Sequence, residues 1–212
     1  MTPGARLAAA AEVLEQVLGS KLPADRAMQQ WGRARRFAGS KDRAAIAERV
    51  YTVLRRLGEC EAVLGSRDPR SLVLGSLRVA DGLGLEQIEA LAVDGTHALG
   101  ALSANEQQRL PAPLAPGDLA RLNAPSWLLP RLKDAFGDDL AVALHGLNQR
   151  APLDLRVNRI KSTRAEVLEE LAGLGLVPQV LESWRIRDTA EKIVASFPLS
   201  DDPIASDSLR VD

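Results

Sequence analysis

The side chains best suited to covalent or metal chemistry are one cysteine, Cys60, and two histidines, His97 and His145. A catalytic thiol must be exposed and have a lowered pKa. Cys60 closely follows an apolar helical stripe that ends at Leu57, so we expect it to pack as a small apolar side chain. The histidines are far apart and have no carboxylate or cysteine at metal-ligand spacing. The sequence therefore predicts no catalytic residue and no metal site.

A glycine-rich loop that could hold a nucleotide-like cofactor is also not found in the sequence. The nearest string is GLGLEQ at 82–87, which lies between two predicted helices. A cofactor loop of this kind is expected to follow a strand. We therefore predict no cofactor-binding residue in this chain.

A run of cations indicates a different chemistry, the binding of phosphates. Residues 33–43 (RARRFAGSKDR) contain a single acidic residue, Asp42, and five cations, namely Arg33, Arg35, Arg36, Lys41 and Arg43. Such a run either binds RNA phosphates or is a solvated face. Aromatic residues make up only 3% of the chain. We therefore do not expect stacking on single-stranded bases to be the main mechanism of binding.

A second polar cluster comes at the end of a predicted strand. Its members are Arg156, Asn158, Arg159 and Lys161. These side chains either contact RNA or line a seam with a following domain, and the sequence does not decide between the two.

The length, net charge and cysteine count say less about function than these two clusters do. The chain has 212 residues, enough for one large or two modest domains, and its net charge of −1 favours no particular partner. A single cysteine excludes an internal disulfide and is typical of the reducing cytoplasm. We find no apolar run long enough for a membrane span and no signal-peptide pattern at the start.

The elements that must position these residues are helical over the first 110 positions. Apolar residues recur there at helical spacing, and no segment alternates as a strand does. Predicted helices cover 3–19, 40–57, 69–79 and 85–102, and another starts near Pro23 and is broken at Gly39 and Ser40. A capping box at Ser103 leads a short element. The string PAPLAPGD at 111–118 is rich in proline and predicts a linker.

The second half of the chain changes from helical to strand periodicity. Ser126 can cap a helix whose first turn should be loosened or shifted by Pro130. LDLRVN at 153–158 then alternates apolar and polar residues and predicts a half-buried strand. Another capping box, at Thr163, leads a helix that should stop at Gly173.

Two separate motifs, in the right order, resemble one family. RFAGSKDRAAIAERVYTVLRR at 36–56 resembles the NusB-like helical domain of the bacterial ribosomal-RNA members of the Sun/Fmu (RsmB-type) RNA cytosine-C5 methyltransferases. Asn148–Pro152 followed by LDLRVN resembles the segment that precedes the catalytic domain in that family. The resemblance covers roughly residues 1–175.

The resemblance implies a mainly α fold, a NusB-like helical bundle followed by a small mixed α/β RNA-binding subdomain. We expect the bundle at 1–110, a linker at 111–122 and the subdomain at 123–212, ahead of a methyltransferase domain that this chain lacks. In the family, methyl transfer from S-adenosylmethionine to a ribosomal-RNA cytosine takes place in that domain. We therefore expect this chain to be inactive alone, without a cofactor of its own, and to act as a cytoplasmic, monomeric RNA-binding portion.

The RNA-binding residues expected on this basis are Arg33, Arg35, Arg36, Lys41, Arg43, Arg156, Asn158, Arg159 and Lys161. Two other functions remain open at this point. One is a free-standing NusB-like RNA-binding regulator of transcription, against which the strand pattern PLDLRVN argues, because an all-helical module has no use for a strand. The other is a helical protein-interaction module without affinity for RNA, which a salt-dependent RNA titration would distinguish.

Overall fold

A computed structural model describes residues 1–20, 22–115, 119–149, 153–174, 178–180 and 208–211. They belong to two compact units, Met1–Gln149 and Arg150–Asp212. The first unit contains α1 (Pro3–Ser20), α2 (Ala24–Ala34), α3 (Ser40–Arg55), α4 (Leu57–Leu64), α5 (Pro69–Val79), α6 (Leu85–Ala92), α7 (Ala104–Arg109), α8 (Leu129–Phe136) and α9 (Leu140–Leu147). Short 3₁₀ helices cover Leu119–Leu122 and Gly137–Asp139. The prediction of a mainly helical chain is confirmed.

The core of the first unit is built around α5, in which every residue from Ser71 to Leu77 is buried. Helices α1, α3 and α4 pack around it. Gly75 permits the closest approach, since a Cβ at this position would lie 2.4 Å from the carbonyl oxygen of Cys60 in α4. The Asp68 carboxylate caps α5 by accepting a hydrogen bond from the Ser71 backbone N–H at 3.0 Å.

Three helices are shorter than the sequence predicts. Helix α2 ends at Ala34 and does not reach the predicted break at Gly39, because Arg35 leaves the helical backbone region with φ of −120° and ψ of 69°. The predicted helix at 40–57 breaks at Arg56, whose φ of −116° and ψ of 32° end α3 and begin α4. The predicted helix at 85–102 ends at Ala92. Beyond it, Gly95 and Gly100 have φ values of 98° and 89°, a left-handed backbone that a right-handed helix cannot contain.

The stretch that the sequence predicts as a linker, 111–122, ends against the bundle. Its 3₁₀ helix, Leu119–Leu122, contacts α4. The next residue, Asn123, has a positive φ of 49° and its side chain donates to Glu59 Oε2 at 3.0 Å. The Glu59 backbone N–H donates to Asn123 Oδ1 at 3.1 Å. These bonds hold the segment to α4, so the first unit continues to Gln149 instead of ending near 110.

Helix α8 begins later than a cap at Ser126 would give, which agrees with the shifted first turn expected from Pro130. A turn in which the Leu129 N–H donates to the Ser126 carbonyl precedes the helix, and α8 begins at Leu129 with the proline in its first turn. At that position the missing N–H costs no helical hydrogen bond.

The second unit contains β1 (Leu153–Arg156), α10 (Arg164–Gly173), β2 (Pro178–Val180) and β3 (Ser208–Val211). Strand β3 lies between the other two and is antiparallel to both. Leu153 is paired with Val211, and Pro178 with the same residue on the other side. The Thr163 hydroxyl caps α10 by accepting from the Glu166 N–H at 3.3 Å, which is the predicted capping box. Within the ranges given above, every helix is too short or too polar to cross a lipid bilayer.

Candidate nucleic-acid interface

The basic run occupies the turn between α2 and α3. The Arg35 N–H donates to the Trp31 carbonyl at 3.0 Å, which is the last hydrogen bond of α2. The Ala38 N–H donates to the Arg35 carbonyl at 3.1 Å. Ala38 is 2% exposed and anchors the turn, whereas its neighbour Phe37 is 74% exposed. The run is therefore a tight turn with a buried alanine inside and its longer side chains on the surface.

Asp42, the single acidic residue of the run, is paired with groups outside it. Its carboxylate accepts from the Arg6 guanidinium at 2.8 Å and from the Met1 amino group at 3.3 Å. It also caps α3 by accepting from the Gly39 N–H at 3.2 Å. The hydrogen bond from Arg6, together with those from Met1 and Gly39, holds the pKa of Asp42 below its ordinary value of 3.8. Asp42 therefore stays charged, but two cations outside the run already compensate it.

Arg35 is held in an intramolecular contact. Its guanidinium lies 2.6 Å from Oε2 of Glu12 and 5.3 Å from the centroid of the Trp31 ring. The Trp31 indole N–H donates to the same Glu12 oxygen at 2.9 Å. Glu12 thus offsets the charge of Arg35, and the cation–π contact fixes its position. Of the five cations in the run, Arg35 is the least available to a phosphate.

Arg43 is exposed at the surface but also supports the turn. Its Nε donates to the Ala38 carbonyl at 2.9 Å. The guanidinium lies across Gly32, where an added Cβ would be 3.6 Å from it. Arg43 therefore joins the end of α2 to the start of α3 while part of its charge faces the surface.

The remaining three cations of the run are Arg33, Arg36 and Lys41. All three are exposed, and none of them forms an ion pair or side-chain hydrogen bond with another residue in the described part of the chain. Because Asp42 is compensated elsewhere, their positive charge is not offset within the run. These three residues are called the cation triad below, and of the five cations in the run they are the ones most available to a phosphate.

An aromatic side chain that sequence reasoning left out belongs to the same turn. Phe37 is exposed within the run that carries the cation triad. It also lines a cavity of about 440 Å³, together with Glu12, Trp31, Arg35 and His97. The low aromatic content of the chain does not show where a single ring lies, whereas the position of Phe37 in the string RRFAGSK is a usable signal.

The second predicted cluster lies in the second unit. Arg156 is the last residue of β1, while Asn158, Arg159 and Lys161 lie in the exposed turn that leads to α10. Asn158 builds this turn, since its side-chain oxygen accepts from the Ile160 N–H at 3.1 Å and its carbonyl accepts from the Lys161 N–H at 2.9 Å. Ile160 is 96% exposed at the tip. Asn158 therefore has a structural role that the sequence alone did not indicate.

The residues considered for covalent or metal chemistry do not form a catalytic site. Cys60 is fully buried in the core, and burial raises the pKa of its thiol to about 12. His97 and His145 are both exposed, and a ring nitrogen of His145 lies 2.9 Å from the Gln149 amide. The described part of the chain has no group of three or more acidic, histidine or cysteine side chains that could hold a metal ion. The segment GLGLEQ joins α5 to α6, so no strand precedes it.

Comparison with known proteins bears on both units. Residues 124–184 match the family model described as the RsmF/B-like methyltransferase, ferredoxin-like domain. A ribosomal RNA small subunit methyltransferase B of Vibrio cholerae is 32% identical over 204 residues, which cover 81% of this chain and 45% of that protein. The protein of the same name from Vibrio vulnificus is 28% identical over 193 residues, which cover 80% and 45% of the two chains.

The chain is similar to the N-terminal region of the Sun/Fmu (RsmB-type) family. The resemblance carried by the motifs at 36–56 and 148–158 is thereby confirmed. The chain spans about half the length of the RsmB-type relatives that it matches, 45% in both cases above. The solved crystal structure of PH0851 aligns with a TM-score of 0.48 at 17% identity, over 100% of this chain and 49% of that one.

Proposed function

We propose that this chain binds and orients RNA for a methyltransferase that transfers a methyl group from S-adenosylmethionine to C5 of a ribosomal-RNA cytosine. The observation that carries the proposal is the cation triad, three exposed cations at the junction of α2 and α3 that have no ion pair or side-chain hydrogen bond among the described residues. Contacts to phosphates fix the position of a protein on RNA without reading its sequence. Such contacts suit a region that orients a substrate for chemistry performed elsewhere.

The second unit is proposed to be a mixed α/β RNA-binding subdomain. Support comes from the match of residues 124–184 to a ferredoxin-like domain and from the antiparallel order β1-β3-β2 with α10 against β2. The exposed turn at Asn158–Lys161 offers two cations, Arg159 and Lys161, for contact with the RNA backbone. Arg156 and Asn158 are proposed as RNA ligands in the same subdomain.

Methyl transfer itself is assigned to residues other than those of this chain. C5 methylation of cytosine requires a thiolate that attacks the base. The only thiol here, Cys60, is buried and has a raised pKa, so it is neither accessible nor ionised near neutral pH. We accordingly expect no methyl transfer by the 212-residue chain. Because GLGLEQ lies between α5 and α6 and not after a strand, we also expect no micromolar binding of S-adenosylmethionine in a calorimetric titration. Micromolar binding would overturn this assignment.

A titration with RNA at several salt concentrations tests the RNA-binding proposal. The intact chain is titrated into a labelled fragment of small-subunit ribosomal RNA between about 50 and 300 mM KCl. The three phosphate contacts of the cation triad should contribute roughly −2 to −3 to the slope of log affinity against log salt, and contacts by Arg159 and Lys161 should make the slope steeper. A helical module that binds only proteins would show neither binding nor a salt dependence, and that result would reject the proposal.

A further inference from the structure

Exposure of one apolar side chain is ordinary and by itself assigns nothing. Phe37 is an exposed aromatic side chain in the segment that carries the cation triad. Arg36 precedes it in the chain, Arg33 lies in the last turn of α2, and Lys41 lies in the first turn of α3. An aromatic face among cations that have no partner in the described part of the chain suits a polyanion that also carries flat apolar groups. Single-stranded RNA has both properties, since its bases are free to stack on aromatic side chains.

The cavity beside Phe37 supplies the space that such a base needs. Its volume is about 440 Å³, within the range of small-molecule sites. Its lining combines two aromatic side chains, Trp31 and Phe37, with polar groups from Glu12, Thr96 and His97. Trp31 is 2% exposed and is fixed by its hydrogen bond to Glu12, so that part of the wall is rigid. A flat ring with polar edges matches this lining.

We propose that the cavity accepts one unstacked base of a single-stranded RNA segment, with the Phe37 ring against the face of the base. The cation triad would then bind phosphates on either side of that nucleotide. This inference rests on the proposed RNA-binding function and deepens it, because it assigns a base-contacting residue to a site otherwise made of phosphate ligands. It also predicts that this turn prefers single strands to duplexes, whose bases are already stacked on each other.

The test compares three substitutions of Phe37 by fluorescence anisotropy. Loss of one base–aromatic stack should weaken binding of a single-stranded oligonucleotide roughly 5- to 100-fold in Phe37→Ala. Phe37→Leu keeps apolar surface but loses the π face, so it should behave like the alanine variant. Phe37→Trp should retain the affinity. The slope of log affinity against log salt should stay unchanged in all three, because no charge is removed.

Val142→Ala provides the matched control. Val142 is also 74% exposed, but it lies on α9, whose sequence LAVALHGL has no lysine or arginine. Its removal should leave RNA affinity unchanged. Thermal unfolding of each variant should occur at the wild-type temperature, since an exposed side chain contributes little to folding.

A duplex of the same length and an RNA containing 2-aminopurine complete the design. Phe37→Ala should bind the duplex as the wild type does. Stacking of 2-aminopurine on Phe37 should change the fluorescence of the base in the wild type but not in Phe37→Ala. Equal losses on single strand and duplex, or no loss on either, would overturn the inference. If the wild type binds RNA with the expected salt slope but Phe37→Ala is without effect, the stacking site fails and the RNA-binding proposal stands. If the wild type binds no RNA, both fail.

Discussion

Arg35 and Glu12 form an ion pair between the end of α2 and the middle of α1, with 2.6 Å between the guanidinium and the carboxylate. The pair separates Arg35 from the rest of the basic run, although the sequence gives all five cations the same weight. Arg35 is expected to stabilise the fold, and Arg33, Arg36 and Lys41 are expected to bind RNA.

Arg35→Ala should therefore lower the free energy of unfolding and leave the salt dependence of RNA binding nearly unchanged. Loss of a half-exposed ion pair and a cation–π contact should cost about 1 kcal/mol, or about 2–4 °C in melting temperature. Urea unfolding of Arg35→Ala, Glu12→Gln and the double variant measures the coupling between the two residues. Additive losses of stability in the double variant would show that the pair contributes nothing. A slope of log affinity against log salt that falls by about one in Arg35→Ala would show that Arg35 contacts a phosphate.

Gly75→Ala should be one of the most damaging small substitutions in the chain. The added Cβ would meet the Cys60 carbonyl oxygen at 2.4 Å, and backbone must move to relieve it. We expect a loss of roughly 2–3 kcal/mol in the free energy of unfolding, measured in urea. Gly19→Ala is the control, since a Cβ there meets nothing within 4 Å. It should leave stability unchanged or raise it by about 0.5–1 kcal/mol, and equal effects of the two substitutions would contradict the packing described.

Acid should weaken the contact between Glu106 and Arg70. Burial by itself would raise the pKa of Glu106, but hydrogen bonds from Arg70 and Ser103 outweigh it and hold the pKa below 4.5. Folding thus favours the ionised carboxylate, whose contribution to stability is complete above pH 4.5 and is lost as the pH falls through the lowered pKa. Arg70 Nε donates to this carboxylate at 2.8 Å.

Glu106→Gln should accordingly cost roughly 1–3 kcal/mol near pH 7 and less at acid pH, where the wild type loses the same charge. Urea unfolding at both pH values measures this difference. Glu15→Gln, an exposed substitution on α1, should leave the pH dependence as in the wild type. A loss for Glu106→Gln that is the same at both pH values would show that the charge of Glu106 plays no part.

Cys60 should react with a thiol reagent only when the protein unfolds. Its side chain is fully buried, and with a pKa of about 12 almost no thiolate exists at pH 8. Labelling by an aromatic disulfide should be slow in buffer and immediate in concentrated urea. Fast labelling of the folded chain would mean that the thiol is exposed and would reopen its candidacy as a nucleophile.

Sequence reasoning succeeded where structure depends on neighbours a few positions apart. The caps at Asp68, Ser103 and Thr163 could be predicted because a side-chain oxygen and an N–H three residues later are always close at the start of a helix. The late start of α8 followed from Pro130 in the same way. The burial of Cys60 followed from its place beyond an apolar stripe.

Contacts between distant residues could not be predicted in this way. Arg35 meets Glu12 only because α1 and α2 pack together, and the run of cations contains no sign of it. The attachment of Asn123 to Glu59, 64 positions earlier, likewise places the end of the predicted linker on the bundle. Phe37 was overlooked because a composition of 3% aromatics says nothing about where one ring lies.

The salt dependence of RNA binding by a variant without the cation triad tests the central claim most directly. Arg33→Ala, Arg36→Ala and Lys41→Ala combined should weaken binding to many RNAs about equally and reduce the salt slope by about 2, at roughly 0.7–0.9 for each phosphate contact. A control that replaces three other exposed cations, Arg67, Arg131 and Lys133, removes the same charge and should keep most of the slope. Stability should change by no more than about 0.5 kcal/mol per substitution. Unchanged affinity and an unchanged slope in the triad variant would show that this turn is only a solvated surface, and the account would be wrong.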